Sequence, residues 1–214
     1  MKLVLFCLLP LLPAAAHACT ADEMNGDSSQ ITIYTDFAHS PAAAVIPHMK
    51  AELDNIMAPL SLRFDWCSLS EADGRHAVYE LVVVRFRGAC QVDTLPTPAK
   101  SGPLGWTHVA GGRMLPFTDV DCDRIREIMT LPLAVAAPVQ RPQLLGRAMG
   151  RVLAHELYHF LTNTARHGTG GITKRAYNAA DLTTAHLWFD PADLNLLRES
   201  TLHTEIRDVA RASP

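Results

Sequence analysis

The stretch Leu144–Gly168 reads LLGRAMGRVLAHELYHFLTNTARHG, and its reading decides how the rest of the chain is understood. It holds His155, Glu156 and His159 in an HExxH pattern, with His167 eight residues after His159. Residues four apart on a helix lie one above the other on the same face, so His155 and His159 can present two imidazoles to a single ion. Neutral imidazole is a good zinc ligand, and catalytic zinc sites are tetrahedral with one position left open. Glu156 projects about 100° around the helix, beside that open position, where it could take a proton from bound water. Leu153, Leu157, Phe160 and Leu161 give the helix one broad apolar side. Gly146, Gly150 and Ala154 recur on that side at spacing four, so another backbone can approach closely. Arg147, Arg151 and Tyr158 form a narrower polar stripe, and Pro142 stands near the start, a favoured place for proline.

A catalytic site needs a third protein ligand. His167 is the nearest candidate. Thr162-Asn163-Thr164 are poor helix formers and Gly168 follows the histidine, so a helix ending near Asn163 would let the chain turn back to the metal. A carboxylate in the tail, Asp181 or Asp190, is the alternative third ligand. The competing reading of the whole stretch is a chance HELYH on a core helix. The intact glutamate and the spaced third histidine argue against it.

Working outward, the chain opens MKLVLFCLLPLLPAAAHACT. A basic start, an apolar run and Ala16-His17-Ala18 make residues 1–18 a signal peptide, too short for a transmembrane span. Residues 19–214 then form a single domain, secreted or periplasmic. A lipid anchor on Cys19 is the weaker alternative, because Ala16 stands where a lipobox has leucine. The chain carries 19 basic and 22 acidic residues, a formal net charge of −3. With no basic run and no basic–aromatic interleaving, it lacks the footprint of a nucleic-acid binder. Without the leader four cysteines remain, Cys19, Cys67, Cys90 and Cys122. In an exported chain that predicts disulfides. The preferred pairing is Cys67 with Cys90, each at the end of a predicted strand, followed by Cys19 with Cys122.

Strands are predicted over Ile31–Thr35, Leu60–Trp66, Tyr79–Phe86 and Leu104–Val109, with Arg113–Phe117 extended after a Gly111-Gly112 turn. A helix is predicted over Pro41–Met57 with Ser40 as its cap, and a short one over Asp119–Met129. Leu131–Pro142, with three prolines, reads as a connector into the long helix. Helical patterns follow over Ala179–Trp188 and Pro191–Leu202. The order implies an α+β domain: a mixed sheet with packed helices and a helical C-terminal segment. His39, His48, His76, His108, His186 and His203 are scattered and read as surface or satisfied core residues. Tyr177 could reach a developing oxyanion, but core packing is the stronger reading.

His155–Gly168 together with Gly171-Ile172 resembles the metzincin-like branch of the zincin metallopeptidases. The segment is most similar to small exported bacterial proteins of that type, in which the HExxH helix is followed eight residues later by a histidine and then by a Gly-Ile-Met segment. The resemblance extends loosely upstream through Leu81–Phe86, Leu104-Gly105 and Asp119–Glu127. Metzincins proper place the third histidine six residues after the second and carry a methionine in a turn beneath the metal. Here the gap is eight, and Thr173 stands at the methionine position. The resemblance implies a zincin-like fold and zinc-dependent peptide hydrolysis. His155, His159 and His167 would bind Zn2+, and Glu156 would act as general base and later proton donor. It also implies a peptide or protein substrate paired along the strand Leu104–His108. The alternative is a catalytically inactive zinc-containing binding or inhibitor protein of the same fold, a reading prompted by Thr173.

Overall fold

The computed structural model describes residues 29–72, 80–93 and 101–200. The signal-peptide expectation, Cys19, His76 and His203 lie outside these residues. Five strands form one sheet: β1 Ser29–Phe37, β2 Leu62–Ser68, β3 Leu81–Arg87, β4 Gly105–Ala110 and β5 Arg113–Asp121. Six helices accompany it: α1 Val45–Met57, α2 Cys122–Ile128, α3 Thr130–Val135, α4 Arg141–Thr162, α5 Ala179–Thr183 and α6 Pro191–Glu199. The sheet order is β2-β1-β3-β5-β4. The first four of these strands run parallel, and β4 is antiparallel to β5 at the edge. The chain is therefore mixed α+β with a mostly parallel sheet.

The alternation of apolar residues explains the core. Ile31 and Ile33 of β1, Val82, Val84 and Phe86 of β3, and Val120 of β5 are buried on one face of the sheet. They meet Met49, Leu53 and Ile56 of α1 and Leu145, Met149 and Leu153 of α4 in one apolar cluster. α1 and α4 lie against each other where glycines remove the side chains. A Cβ on Gly146 would come within 2.6 Å of the Val45 carbonyl, and one on Gly150 within 2.8 Å of the Met49 carbonyl. The polar stripe of α4 is not solvated. Arg151 is fully buried and donates to Glu52 Oε1 at 2.7 Å, to the Asp181 carbonyl at 2.6 Å and to the Thr184 carbonyl at 2.8 Å. No helix among the described residues is long and apolar enough to cross a membrane.

Several boundaries differ from expectation for identifiable reasons. The Cys67–Cys90 and Cys19–Cys122 pairings are corrected: the bond is Cys90–Cys122, with Cα atoms 5.1 Å apart. β3 and β5 are neighbours, with Arg87 opposite Asp121, so the residues just beyond their ends lie side by side. β1 separates β2 from β3, which puts Cys67 two strands away from Cys90, about 10 Å and beyond disulfide reach. Cys67 is itself disulfide-bonded elsewhere. The connector over 131–142 is largely helical, because its prolines fall in first turns, where a missing N–H costs nothing. The helix expected over 179–188 stops at Thr183. The carbonyls of Asp181, Thr183 and Thr184 are taken by Arg147 and Arg151 instead of continuing a helix. Ser40 does not cap α1, which starts after Ala44 without a side-chain cap. β5 continues to Asp121, and its side chain caps α2 by accepting from the Arg124 N–H.

Candidate metal centre and cleft

α4 delivers His155 and Glu156 deep in the fold, with 7% and 4% of their surface exposed, and His159 one turn on at 6%. The helix ends at Asn163, which adopts the left-handed conformation at φ 48°. Asparagine tolerates that region better than other non-glycine residues. Its side-chain oxygen also accepts the Met114 N–H at 2.8 Å, anchoring the bend to β5. Beyond the bend the chain returns and brings His167 beside the other two rings. The ring centres are 4.7 Å (155–159), 4.8 Å (159–167) and 5.2 Å (155–167) apart. Each histidine offers one nitrogen, and these atoms lie within 4.8 Å of one another. Asp181 is engaged in the capping box of α5, and Asp190 precedes α6. Among the described residues neither carboxylate joins the three histidines.

The hydrogen bonds of the rings fix how they face. His155 Nδ1 lies 2.7 Å from the Ile172 carbonyl, and His159 Nδ1 lies 2.7 Å from the Thr164 carbonyl. A carbonyl only accepts, so both Nδ1 atoms carry the proton and both Nε2 atoms are left with a lone pair. Those two Nε2 atoms face each other at 3.0 Å. Burial pulls the His155 pKa down to about 4; the Ile172 carbonyl opposes this, and the neighbouring histidines add to it. Burial lowers His159 as well, against the Thr164 carbonyl, and it lowers His167, helped by the Arg175 charge. Neutral rings with converging lone pairs repel unless a cation stands between them. His167 Nδ1 is also buried and has no hydrogen-bond partner. This donor set fits a metal ion.

Glu156 faces the same space. Burial pushes its carboxyl up to about 7, against the Thr107 hydroxyl, which donates to Oε2 at 2.9 Å. Thr107 belongs to β4, which crosses the helix so closely that a Cβ on Gly105 would lie 3.0 Å from Glu156 Cγ. The result is a cleft of about 530 Å³ between β4 and the 165–177 loop, with the histidines and Glu156 at its base.

The loop is shaped by hydrogen bonds. Gly168 N–H donates to the Thr173 carbonyl at 2.9 Å, and Gly171–Thr173 form a short 3-10 turn with Ile172 and Thr173 buried. The Ile172 carbonyl that receives the His155 ring also accepts the Tyr177 hydroxyl. Thr173, fully buried, donates to Asp193 Oδ2 of α6 at 2.5 Å. Tyr177 packs against the apolar core, as expected, and also lines the cleft, with its ring centre 5.7 Å from that of His155. The contacts made by Thr107, Gly105, the Thr164 and Ile172 carbonyls and Asp193 escaped the sequence reading. Only the Leu104-Gly105 strand pattern hinted at any of them.

No protein-family profile matches this chain, and no curated protein does either.

Proposed function

We propose that the chain is an exported zinc metallopeptidase of the metzincin-like zincin type, with His155, His159 and His167 holding the metal. The observation that carries this reading is the pairing of three converging imidazoles with a buried carboxylate, Glu156, in a cleft bordered by an edge strand. Three nitrogen ligands and an open side match what zinc takes in catalytic sites. Tetrahedral bonds of about 2.0–2.1 Å put two ligand nitrogens about 3.3 Å apart, close to the 3.0 Å between the Nε2 atoms. Bound there, zinc would act as a Lewis acid toward a carbonyl oxygen and lower the pKa of water.

The residues of the chain supply the rest. Glu156 accepts the proton of the attacking water and passes it to the leaving amine, the two roles of a general base and acid. The Thr107 hydroxyl holds the carboxylate in one orientation. β4 ends the sheet, so its outer N–H and C=O groups are open to an extended peptide. The Cys90–Cys122 bond is compatible with an oxidising compartment.

The test is hydrolysis of a mixed peptide library by zinc-loaded protein and by Glu156→Gln. Cleavage by the wild type, reduced about 10²–10⁴-fold in the variant at unchanged zinc content, supports the enzyme. Stoichiometric zinc with both proteins inert would instead favour the non-catalytic binding protein, the reading that Thr173 in the methionine position prompts.

A further inference from the structure

The protein as a whole is acidic, with a net charge of −3, but the walls of its cleft are not. Among the described residues, the charged side chains lining it, apart from the histidines, are Arg124, Lys174, Arg175 and one carboxylate, Glu156. Two of the three cations are partly spoken for. Lys174 is bridged to Asp181, and Arg124 Nη1 reaches Glu127 at 2.5 Å. Arg124 Nε, however, is buried and has no acceptor. Arg175 is exposed and makes no ion pair or hydrogen bond among the described residues. It is close enough to the metal-site rings for its charge to act on His167.

The two arginines reach the cleft from different elements. Arg124 stands on α2, which follows β5 where the Asp121 N–H meets the Leu104 carbonyl at the start of β4. Arg175 stands on the 165–177 loop. Both line the cleft that β4 borders, and a guanidinium pairs with a carboxylate through two parallel N–H donors. A cleft with apolar walls such as Leu104, Ile128 and Val152 concentrates the field of an uncompensated cation. We propose that the cleft selects peptides with acidic side chains flanking the scissile bond, and that Arg175 is the main specificity determinant, with Arg124 second. This rests on the reading of the site as a peptidase's.

The experiment uses zinc-loaded full chain and three matched fluorogenic peptides with Glu, Gln or Lys on both sides of one bond. In parallel, binding of the same peptides to zinc-loaded Glu156→Gln is read by fluorescence anisotropy. The expected result is a kcat/KM for the Glu peptide about five- to tenfold above the Gln peptide, lower still for Lys, with the preference shrinking as salt rises. Arg175→Glu should remove or invert the preference while Arg175→Lys retains part of it, and Arg124→Gln should weaken it. Zinc content is measured in each variant to exclude an effect through His167. Equal cleavage of all three peptides would overturn the inference and leave the peptidase reading standing. Absence of cleavage, with binding that favours Glu and is lost in Arg175→Glu, would keep the inference and remove the peptidase reading. Charge-independent binding without cleavage would overturn both.

Discussion

The two regions that supply the three clustered histidines are held by different forces. α4 owes its position to burial: from Leu145 to Leu161 nearly every residue is inaccessible, and the glycines bring its backbone against α1. The loop 163–178 has two buried residues, Ile172 and Thr173, and is shaped by hydrogen bonds to Met114, Asp193 and the two histidine rings. A helix held by apolar burial should tolerate the loss of one of its histidines. The hydrogen-bonded loop carries the third histidine and part of the orientation of the first two. Damage to the helix should therefore register in stability, and damage to the loop in metal affinity.

The sharpest break of this contrast is His167→Ala. It should lower zinc affinity by about a thousandfold or more, measured by competition with a chromophoric chelator, and leave metal-free stability within about 1 kcal/mol of wild type. Retained tight binding would shift the third ligand to a tail carboxylate such as Asp190 and remove the loop from the site.

Acid stability of the metal-free protein probes the buried base of the cleft. His155 has a folded pKa lowered from 6.5 to about 4, so below pH 6.5 the unfolded chain binds a proton that the native one refuses. Stability from that group is lost as pH falls toward 4, by roughly 3 kcal/mol in full. Glu156 is raised from 4.5 to about 7, so its contribution runs the other way: complete below 4.5 and lost as pH rises through 7. Between about 4.5 and 6.5 the native state holds on Glu156 the proton that the unfolded state holds on His155, and the two nearly cancel. Within the cleft, the slope that remains comes from His159 and His167, both lowered. Glu156→Gln removes the compensation. Its thermal midpoint without metal should fall more steeply than wild type's between pH 7.5 and 5, by a difference of roughly 2 kcal/mol. Parallel curves would mean that the Glu156 carboxyl is not desolvated.

On the helix side, Gly150→Ala places a methyl 2.8 Å from the Met49 carbonyl and from Glu52 Cβ, so α1 and α4 must separate. Overpacking costs about 1–3 kcal/mol, from which alanine's helix propensity returns about 1. A net loss of up to about 2 kcal/mol in denaturant melts is expected, with zinc affinity changed less than about threefold. A stabilised variant would show that the close approach is not needed.

The same contrast explains what the sequence disclosed. His155, Glu156, His159 and the apolar face of α4 were legible because helical periodicity is local, and so was the Gly111-Gly112 hairpin turn. The strand order was not, because nothing local says that β1 lies between β2 and β3, and the disulfide expectation failed on that point. His167 could be nominated from spacing, and the structure brings it to the other two rings. The carbonyls of Thr164 and Ile172 could not be nominated, because any residue type carries a backbone carbonyl. Thr107 was invisible for a related reason: its role depends on where β4 crosses the helix, a contact between residues 49 positions apart.

The smallest effect expected lies beneath the site. Thr173 occupies the position where the metzincin resemblance would place a methionine. Its hydroxyl is instead spent on Asp193 of α6 at 2.5 Å, and the adjacent Ile172 carbonyl orients the His155 ring. Thr173→Val keeps the shape and removes the hydrogen bond, leaving Asp193 to Tyr158 at 3.5 Å and to water. If that bond holds the turn in register, the Ile172 carbonyl shifts and zinc affinity falls about tenfold, the low end for groups that orient a ligand without touching the metal. The cobalt-substituted protein should show altered visible absorption bands, because ring orientation changes the ligand field. Metal-free stability should move by only about 1 kcal/mol, the usual worth of one such bond. Asp193→Asn should fall between wild type and Thr173→Val, since an amide oxygen can still accept from the hydroxyl. A change in stability with identical affinity and an identical cobalt spectrum would place Thr173 with the packed helix, and the division between the two regions would then fall beyond residue 173.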